Sequence, residues 1–186
     1  MKTKLIFLLF SLSGIMNVSS CKEDNFDKMP PETQSGKNTF GCLIDGKLFV
    51  GGCCAPFGPV GPISVGYQKV SDKLFISVFG KISITSISNR ATQVGMVINS
   101  PHQNTIQKLS IASYNPADII SGCWNFTAVN DGMCTITKFD TINKIVSGRF
   151  EFVGICADNS FFVVDSTIMK QITQGRFDLK FDIINE

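Results

Sequence analysis

The sequence predicts an all-β protein, an antiparallel β-sandwich of about nine or ten strands. Several segments alternate apolar and polar residues with the period of two that half-buried strands show, and clusters of turn-forming residues separate them. No segment forms a convincing amphipathic helix. Because this alternation does not distinguish two stacked sheets from a closed one, an open or flattened β-barrel is the alternative.

Length and composition fit one globular domain. The chain has 186 residues, of which 44% are hydrophobic and 17% charged, and this excludes intrinsic disorder. Without Lys2 and Lys4, which lie in a segment that we expect to be removed, 15 basic residues balance 15 acidic ones. A nucleic-acid-binding domain normally carries a basic excess, so we expect no nucleic-acid partner.

Residues 1–20 have the organisation of a secretory leader. A short cationic start precedes the apolar stretch Leu5–Met16, which is too short to span a bilayer. The segment Val18–Cys21 resembles a bacterial lipobox, in which the cysteine becomes the lipidated first residue of the mature protein. Cys21 is therefore the predicted lipidation site, and its acyl chains would anchor the protein in a membrane. An ordinary secreted protein or a buried N-terminal strand is the alternative.

Residues 21–36 are predicted to be the lipidated cysteine and a flexible tether, and residues 37–186 a single β domain. The tether is polar and charged and contains the pair Pro30-Pro31. Acidic residues soon after Cys21 resemble the surface-export signal of Bacteroidota lipoproteins. The expected location is therefore the outer membrane of the cell envelope, with display at the surface slightly favoured over a periplasmic orientation.

The first strands follow from a hairpin signal and one clear alternation. Asp45-Gly46 between residues 39–44 and 47–50 is typical of a tight β-hairpin. In residues 73–79 one face is apolar, formed by Leu74, Ile76 and Val78.

Two C-terminal strands show the same alternation. Phe150 and Phe152 oppose Arg149 and Glu151. In residues 176–182 the apolar side chains are Phe177, Leu179 and Phe181, and the opposite, solvent-facing set is Arg176, Asp178, Lys180 and Asp182. The segments 147–150 and 174–177 share the tripeptide Gly-Arg-Phe, which we interpret as two similar strands that begin after glycine. One short helical turn is expected in residues 165–174.

Six cysteines follow Cys21, and in an oxidising compartment an even number indicates up to three disulfides. They are Cys42, Cys53, Cys54, Cys123, Cys134 and Cys156. Cys123–Cys134 is the preferred bridge, because the turn at residues 130–132 could fold the intervening segment back. Structural zinc requires cysteine pairs of wider spacing and often histidines, and His102 is the sole histidine. We therefore expect no metal and no cofactor.

Both ends of the predicted domain resemble a known family. Residues 29–50 contain the pattern PPxTQxGxNTFGCxxxGKxF, and SGxFEF and ITxGRFD occur in residues 147–152 and 172–178. These motifs resemble a family of Bacteroidota lipoproteins of unknown function. The resemblance implies an envelope location and supports the all-β fold, but it implies no activity. Residues 51–120 contain none of these motifs.

The sequence offers little support for catalysis. His102 lies in a loop-like stretch, where an exposed and inert role is expected, and no serine lies in a Gly-x-Ser-x-Gly context. A pair of carboxylates could hydrolyse a glycosidic bond without histidine. The candidates for such a pair all lie near predicted turns: Asp118, Asp131, Asp140, Asp158 and Asp165.

Binding is the favoured role. The loop at residues 51–62 is stiffened by three prolines and offers Phe57 and Val60 for recognition, unless it folds over an end of the sandwich and buries Phe57. Thr141 and Ser166 follow aspartates in motifs that resemble Bacteroidota O-glycosylation acceptors. The sequence thus predicts a non-enzymatic, lipid-anchored binding or display module whose ligand is unidentified. A carboxylate-based hydrolase and a structural lipoprotein without a specific ligand are the alternatives.

Overall fold

The computed structural model describes residues 28–51, 63–80, 92–117, 119–129, 131–158 and 163–184, and within these ranges every regular element is a β-strand. The strands are β1 (Thr39–Ile44), β2 (Lys47–Gly51), β3 (Ile63–Gln68), β4 (Lys73–Phe79), β5 (Gln93–Asn99), β6 (Thr105–Lys108), β7 (Ile111–Asn115), β8 (Phe126–Val129), β9 (Met133–Asp140), β10 (Ile145–Ala157), β11 (Val163–Lys180) and β12 (Asp182–Ile184). The all-β prediction is confirmed. In the described part of the chain no helix has the length and apolar character needed to cross a membrane.

The strands form one mixed sheet of twelve strands that is not closed, in the order β12-β3-β4-β5-β7-β8-β10-β11-β1-β2, with β9 and β6 branching from β10. Among the strands of the described residues, every pairing is antiparallel except that of β12 with β3. This arrangement is consistent with a β-sandwich or an open β-sheet. The strand number exceeds the predicted nine or ten because β6, β8 and β12 are only three or four residues long, too short for an alternation pattern to reveal.

The two longest strands organise the sheet. β10 and β11 contain 13 and 18 residues and pair with each other from Ile145–Lys180 to Ala157–Val163. The opposite edge of β10 pairs first with β9 and then, at Ile155 and Cys156, with β8. The sheet therefore divides along β10, with β6 and β9 on one branch and β8, β7, β5, β4, β3 and β12 on the other.

The core lies on the apolar side of these strands, as the alternation predicted. In β4 the side chains of Leu74, Ile76 and Val78 are buried, and in β10 those of Phe150 and Phe152 are buried. Burying a side chain of this size contributes about 1.5–3 kcal/mol to folding. The described residues of β4 and β10 thus confirm the predicted faces.

The predicted hairpin at Asp45-Gly46 is also confirmed. Both residues have positive φ (47° and 75°), as a two-residue turn between antiparallel strands requires. The turn contacts β11, because the Asp45 carboxylate accepts hydrogen bonds from Lys170 Nζ at 2.6 Å and from the Gln171 backbone amide at 2.9 Å. The hairpin is thereby fixed to the longest strand.

The expected helical turn in residues 165–174 is wrong, because this segment belongs to β11. Asp165 accepts hydrogen bonds from the amide and the hydroxyl of Thr167, which form a local turn-like arrangement beside an irregularity in the β10–β11 register. The β-branched residues Thr167, Ile168 and Ile172 favour the extended backbone that follows.

The preferred Cys123–Cys134 bridge is also wrong. Cys123 forms a disulfide with Cys156, and their Cα atoms are 5.8 Å apart. Cys134 lies in β9, and β9 pairs with β6 and β10 and not with β8. The residues opposite Cys134 in those two pairings are Gln107 and Phe150. The turn after β8 therefore carries Cys134 away from Cys123.

Two other cysteines, Cys42 and Cys134, are free and buried. Burial in apolar surroundings raises the pKa of each thiol to about 12. Cys53 and Cys54 lie outside the described residues.

Candidate functional site

Residues 28–38, which we call the N-terminal strap, run over the outer face of β1 and β11 before β1 begins. Met29 and Pro30 cover Gly41, so a Cβ on this glycine would lie 2.5 Å from Pro30 Cδ. This close approach requires a residue without a side chain at position 41. The packed part of the chain therefore extends to Met29, within the segment assigned to the tether.

Asp178 in β11 holds the strap in place. Its side chain lies on the outer face, as the alternation predicts, but the residue is only 1% exposed because the strap covers it. The carboxylate accepts hydrogen bonds from five donors: Thr33 Oγ1 (2.5 Å), Gly36 N (2.8 Å), Ser147 Oγ (2.8 Å), Ser35 N (3.1 Å) and Lys37 N (3.2 Å). The expectation of a solvent-facing Asp178 is thus corrected.

These hydrogen bonds keep the buried carboxylate ionised. Burial by itself would raise the pKa of Asp178, but the hydroxyls of Thr33 and Ser147 and the amides of Gly36 and Ser35 outweigh it and lower the pKa from 3.8 to about 2. A carboxylate with this many donors is fully engaged in holding the strap. Asp178 is therefore a structural group.

The two Gly-Arg-Phe segments pair with each other in β10 and β11. Arg149 lies directly opposite Arg176, and the neighbouring pairs are Gly148 with Phe177 and Phe150 with Gly175. Residues directly opposite in an antiparallel pair point to the same face. The two arginine side chains therefore leave the sheet side by side, on the face that the strap crosses.

A cavity of about 190 Å³ lies between the strap and these two strands. We call it the two-arginine pocket. It is lined by Pro31, Glu32, Thr33, Gln34, Thr39, Thr137, Gly148, Arg149, Arg176 and Phe177.

Positive charges outnumber negative charges in the two-arginine pocket. Arg149 forms an ion pair with Glu32 at 2.5 Å, which raises the pKa of Arg149, and both side chains are largely exposed (63% and 44%). Such an exposed pair contributes little to stability. The side chain of Arg176 forms no hydrogen bond or ion pair with the described residues. The pocket therefore has two guanidinium groups and one carboxylate, a net charge of about +1.

This donor set suits an anionic group. A guanidinium presents planar, fixed N–H donors that match the two oxygens of a carboxylate, and the threonine hydroxyls can both donate and accept. Among the described residues that line the pocket, Glu32 is the single carboxylate. The donors of this lining therefore match an anion, and the described lining does not contain the two acids that glycosidases use.

Three of the aspartates considered for hydrolysis have side-chain contacts that the structure describes, and each of these contacts stabilises a local turn. Asp131 accepts a hydrogen bond from Gly132 N, Asp140 from Ile142 N and from Asn143, and Asp165 from Thr167. Asp158 directly follows β10, and its backbone carbonyl accepts a hydrogen bond from the Asn125 side chain. Asp118 lies outside the described residues.

The structure describes some of the other residues that the sequence analysis named. His102 is exposed, and its backbone carbonyl accepts a hydrogen bond from the Thr105 hydroxyl. Thr141 and Ser166 are exposed, as glycosylation acceptors must be. Cys21, Phe57 and Val60 lie outside the described residues. In the part of the chain that is described, no three His, Cys, Asp or Glu side chains are grouped as metal ligands.

The arginines of the pocket were not recognised as a site from the sequence. The repeated tripeptide Gly-Arg-Phe was the one sequence feature that could have indicated the site. When two such segments pair in antiparallel fashion, their central arginines lie opposite each other. The contribution of Glu32 and Thr33 depends on how the strap folds back, which no local pattern encodes.

A second, more open hollow of about 460 Å³ lies on the outer face of β3, β4, β5, β7 and β12. Small residues form its floor, among them Gly66, Ser77 and Gly95. Phe75 and Ile184 provide apolar surface beside them.

Comparison with known proteins found no match: no protein-family model, no curated protein and no solved structure corresponds to this chain. The site is therefore interpreted from its own residues.

Proposed function

We propose that this protein is a lipid-anchored component of a bacterial cell envelope that acts as a non-enzymatic binding or display module. The leader and the lipobox ending in Cys21 support the anchor. The disulfide between Cys123 and Cys156 supports an oxidising compartment, where structural disulfides persist. The outer membrane, with the domain facing outwards, is the proposed location.

The observation that carries the binding role is the two-arginine pocket at the junction of strap and sheet. Lys28 is seven residues from Cys21, a stretch that spans at most about 25 Å. Glu32, in the pocket lining, is eleven residues from Cys21, so the pocket would lie within about 40 Å of the acyl chains. An anchored protein would hold this pocket near the membrane.

The turn contacts of the aspartates favour binding over hydrolysis. Asp131, Asp140 and Asp165 each accept hydrogen bonds from a residue one to three positions further along the chain. A carboxylate engaged in this way stabilises its own turn. The absence of turnover on glycan substrates is therefore expected, and turnover that is lost when two of these aspartates are changed to asparagine would contradict the proposal.

Metabolic labelling with palmitate tests the anchor. The full chain expressed in a Bacteroidota host should incorporate the label, and Cys21→Ala should abolish incorporation and leave the leader uncleaved. Cys134→Ala is the matched control, because it removes a cysteine of the β domain and should leave labelling unchanged. Failure of the unmodified protein to incorporate palmitate, or labelling that persists in Cys21→Ala, would overturn the proposal.

A further inference from the structure

We propose that the two-arginine pocket binds a small, singly charged carboxylic acid that also bears hydroxyl groups, with Arg176 as its main charged partner. The inference rests on the binding role proposed above and adds the chemical class of the ligand. It does not depend on the lipid anchor.

The first support is the unbalanced charge at the β10–β11 pair. Arg149 and Arg176 lie directly opposite each other, and like charges in this position destabilise an antiparallel pair. Glu32 compensates Arg149 alone. A carboxylate bound to Arg176 would supply the second counter-charge and could form two parallel hydrogen bonds with the guanidinium.

The second support concerns the charge of the ligand. Because Glu32 lines the same cavity, one further negative charge neutralises the pocket, whereas a doubly charged phosphate would also be repelled by the Glu32 carboxylate. The pocket should therefore prefer a carboxylate to inorganic phosphate.

The third support concerns hydroxyl groups and size. Thr39 and Thr137 line the cavity, and their hydroxyls form no hydrogen bond with other described residues. Each can donate one hydrogen bond and accept others, as ligand hydroxyls require. A volume of about 190 Å³ is below the roughly 300–1,000 Å³ of sites for drug-sized ligands. The ligand is therefore small, or is one acidic residue at the end of a larger molecule.

Isothermal titration calorimetry of the full-length mature protein in detergent, at neutral pH and low salt, tests the inference. The probes are glucuronate, glucose as the uncharged ring of similar shape, and inorganic phosphate. We expect glucuronate to bind at least about tenfold more tightly than glucose or phosphate.

Variants assign the binding to this pocket. Arg176→Gln should weaken glucuronate binding at least about tenfold. Arg176→Lys keeps the positive charge but loses the planar set of N–H donors, so its affinity for glucuronate should lie between those of the unmodified protein and Arg176→Gln. Lys69→Gln is the matched control, because it removes one positive charge at the exposed β3–β4 turn, and it should leave binding unchanged. Glu32→Gln should shift the preference towards phosphate, a readout that does not depend on loss of binding.

Equal binding of glucuronate and glucose, or glucuronate binding that is unaffected in Arg176→Gln, would overturn the inference. Absence of glucuronate binding would overturn it as well. None of these results changes palmitate incorporation at Cys21, so failure of this inference and failure of the proposed anchor are distinguishable.

Discussion

Phe150 covers Gly175 across the β10–β11 pair: a Cβ on Gly175 would lie 2.5 Å from Cε1 of the ring. A second phenylalanine–glycine pair lies two positions away in the same strand pairing, beyond Arg149 and Arg176. There a Cβ on Gly148 would lie 2.7 Å from Cζ of Phe177. Each ring thus packs over the glycine of the opposite strand, which covers backbone that a glycine would otherwise expose.

We expect Gly175→Ala to destabilise the protein. The added methyl group would displace the buried Phe150 ring, and overpacking of this kind costs about 1–3 kcal/mol. Urea denaturation of the variant should show this loss in the free energy of unfolding. Gly95→Ala is the control, since its added Cβ would lie 3.2 Å from the rotatable Ser113 hydroxyl and at an ordinary contact distance of 3.6 Å from the Ile76 carbonyl oxygen, and it should change stability far less. A larger loss in Gly95→Ala than in Gly175→Ala would contradict the packing described above.

The Asp178 carboxylate should make stability depend on pH in the acid range. Its pKa in the folded protein, about 2, lies below the 3.8 of the free group, so its contribution is complete above about pH 4 and is lost as the pH falls towards 2. The shift corresponds to about 2 kcal/mol.

Asp178→Asn should therefore be less stable than the unmodified protein at pH 6 by at least about 2 kcal/mol, and the difference should become smaller at pH 2. Urea denaturation at a series of pH values measures it. Ser147→Ala, which removes one of the five donors, should show a smaller loss at pH 6. A difference that stays constant from pH 6 to pH 2 would contradict the assignment.

The Cys123–Cys156 disulfide should stabilise the domain by about 3–4 kcal/mol, because it closes a loop across a sequence separation of 33 residues. The double change to alanine should lower the free energy of unfolding by this amount. Trypsin cleaves after Lys138, Lys144 and Arg149 and so separates Cys156 from Cys123. Cyanogen bromide cleaves after Met133 and separates Cys123 from Cys134, so mass spectrometry of non-reduced peptides after both cleavages identifies the bridge. Linkage of Cys123 to another cysteine would refute the pairing.

The two free cysteines should not react in the folded protein. Cys42 and Cys134 are at most 1% exposed, and burial raises the pKa of each thiol to about 12, so the reactive thiolate is scarce at pH 8. Iodoacetamide should label neither residue in the native protein and both in guanidinium chloride. Peptide mapping distinguishes them from the remaining cysteines. Native labelling of Cys134 at a rate comparable to that in guanidinium chloride would contradict its buried position.

The strands were predictable because their signal is local. Alternation in residues 73–79 and 149–153 depends only on which face meets the core, and the Asp45-Gly46 turn depends on two adjacent residues. The burial of Asp178 was not predictable by this means, since its cover comes from residues more than 140 positions earlier in the chain. Alternation assigns a side chain to one face of the sheet, but it does not show which distant part of the chain covers that face.

The site and the disulfide were missed for a related reason. The opposition of Arg149 and Arg176 depends on the register of β10 against β11, and the partner of Cys123 depends on how β8 and β9 diverge. Both are relations between strands. A preference for the nearest cysteine in the sequence, as in the Cys123–Cys134 prediction, fails when two consecutive strands join different branches of the sheet.

The strap determines how the domain responds to mechanical force. A pull on the N-terminus reaches Asp178 before it reaches Thr39, because four donors between Thr33 and Lys37 are bound to that one carboxylate. The load passes into β11 and, through Ser147, into β10, the two longest strands. Tension on the N-terminus would therefore act on β11 and β10 before it reaches β1, and acidification would weaken this attachment.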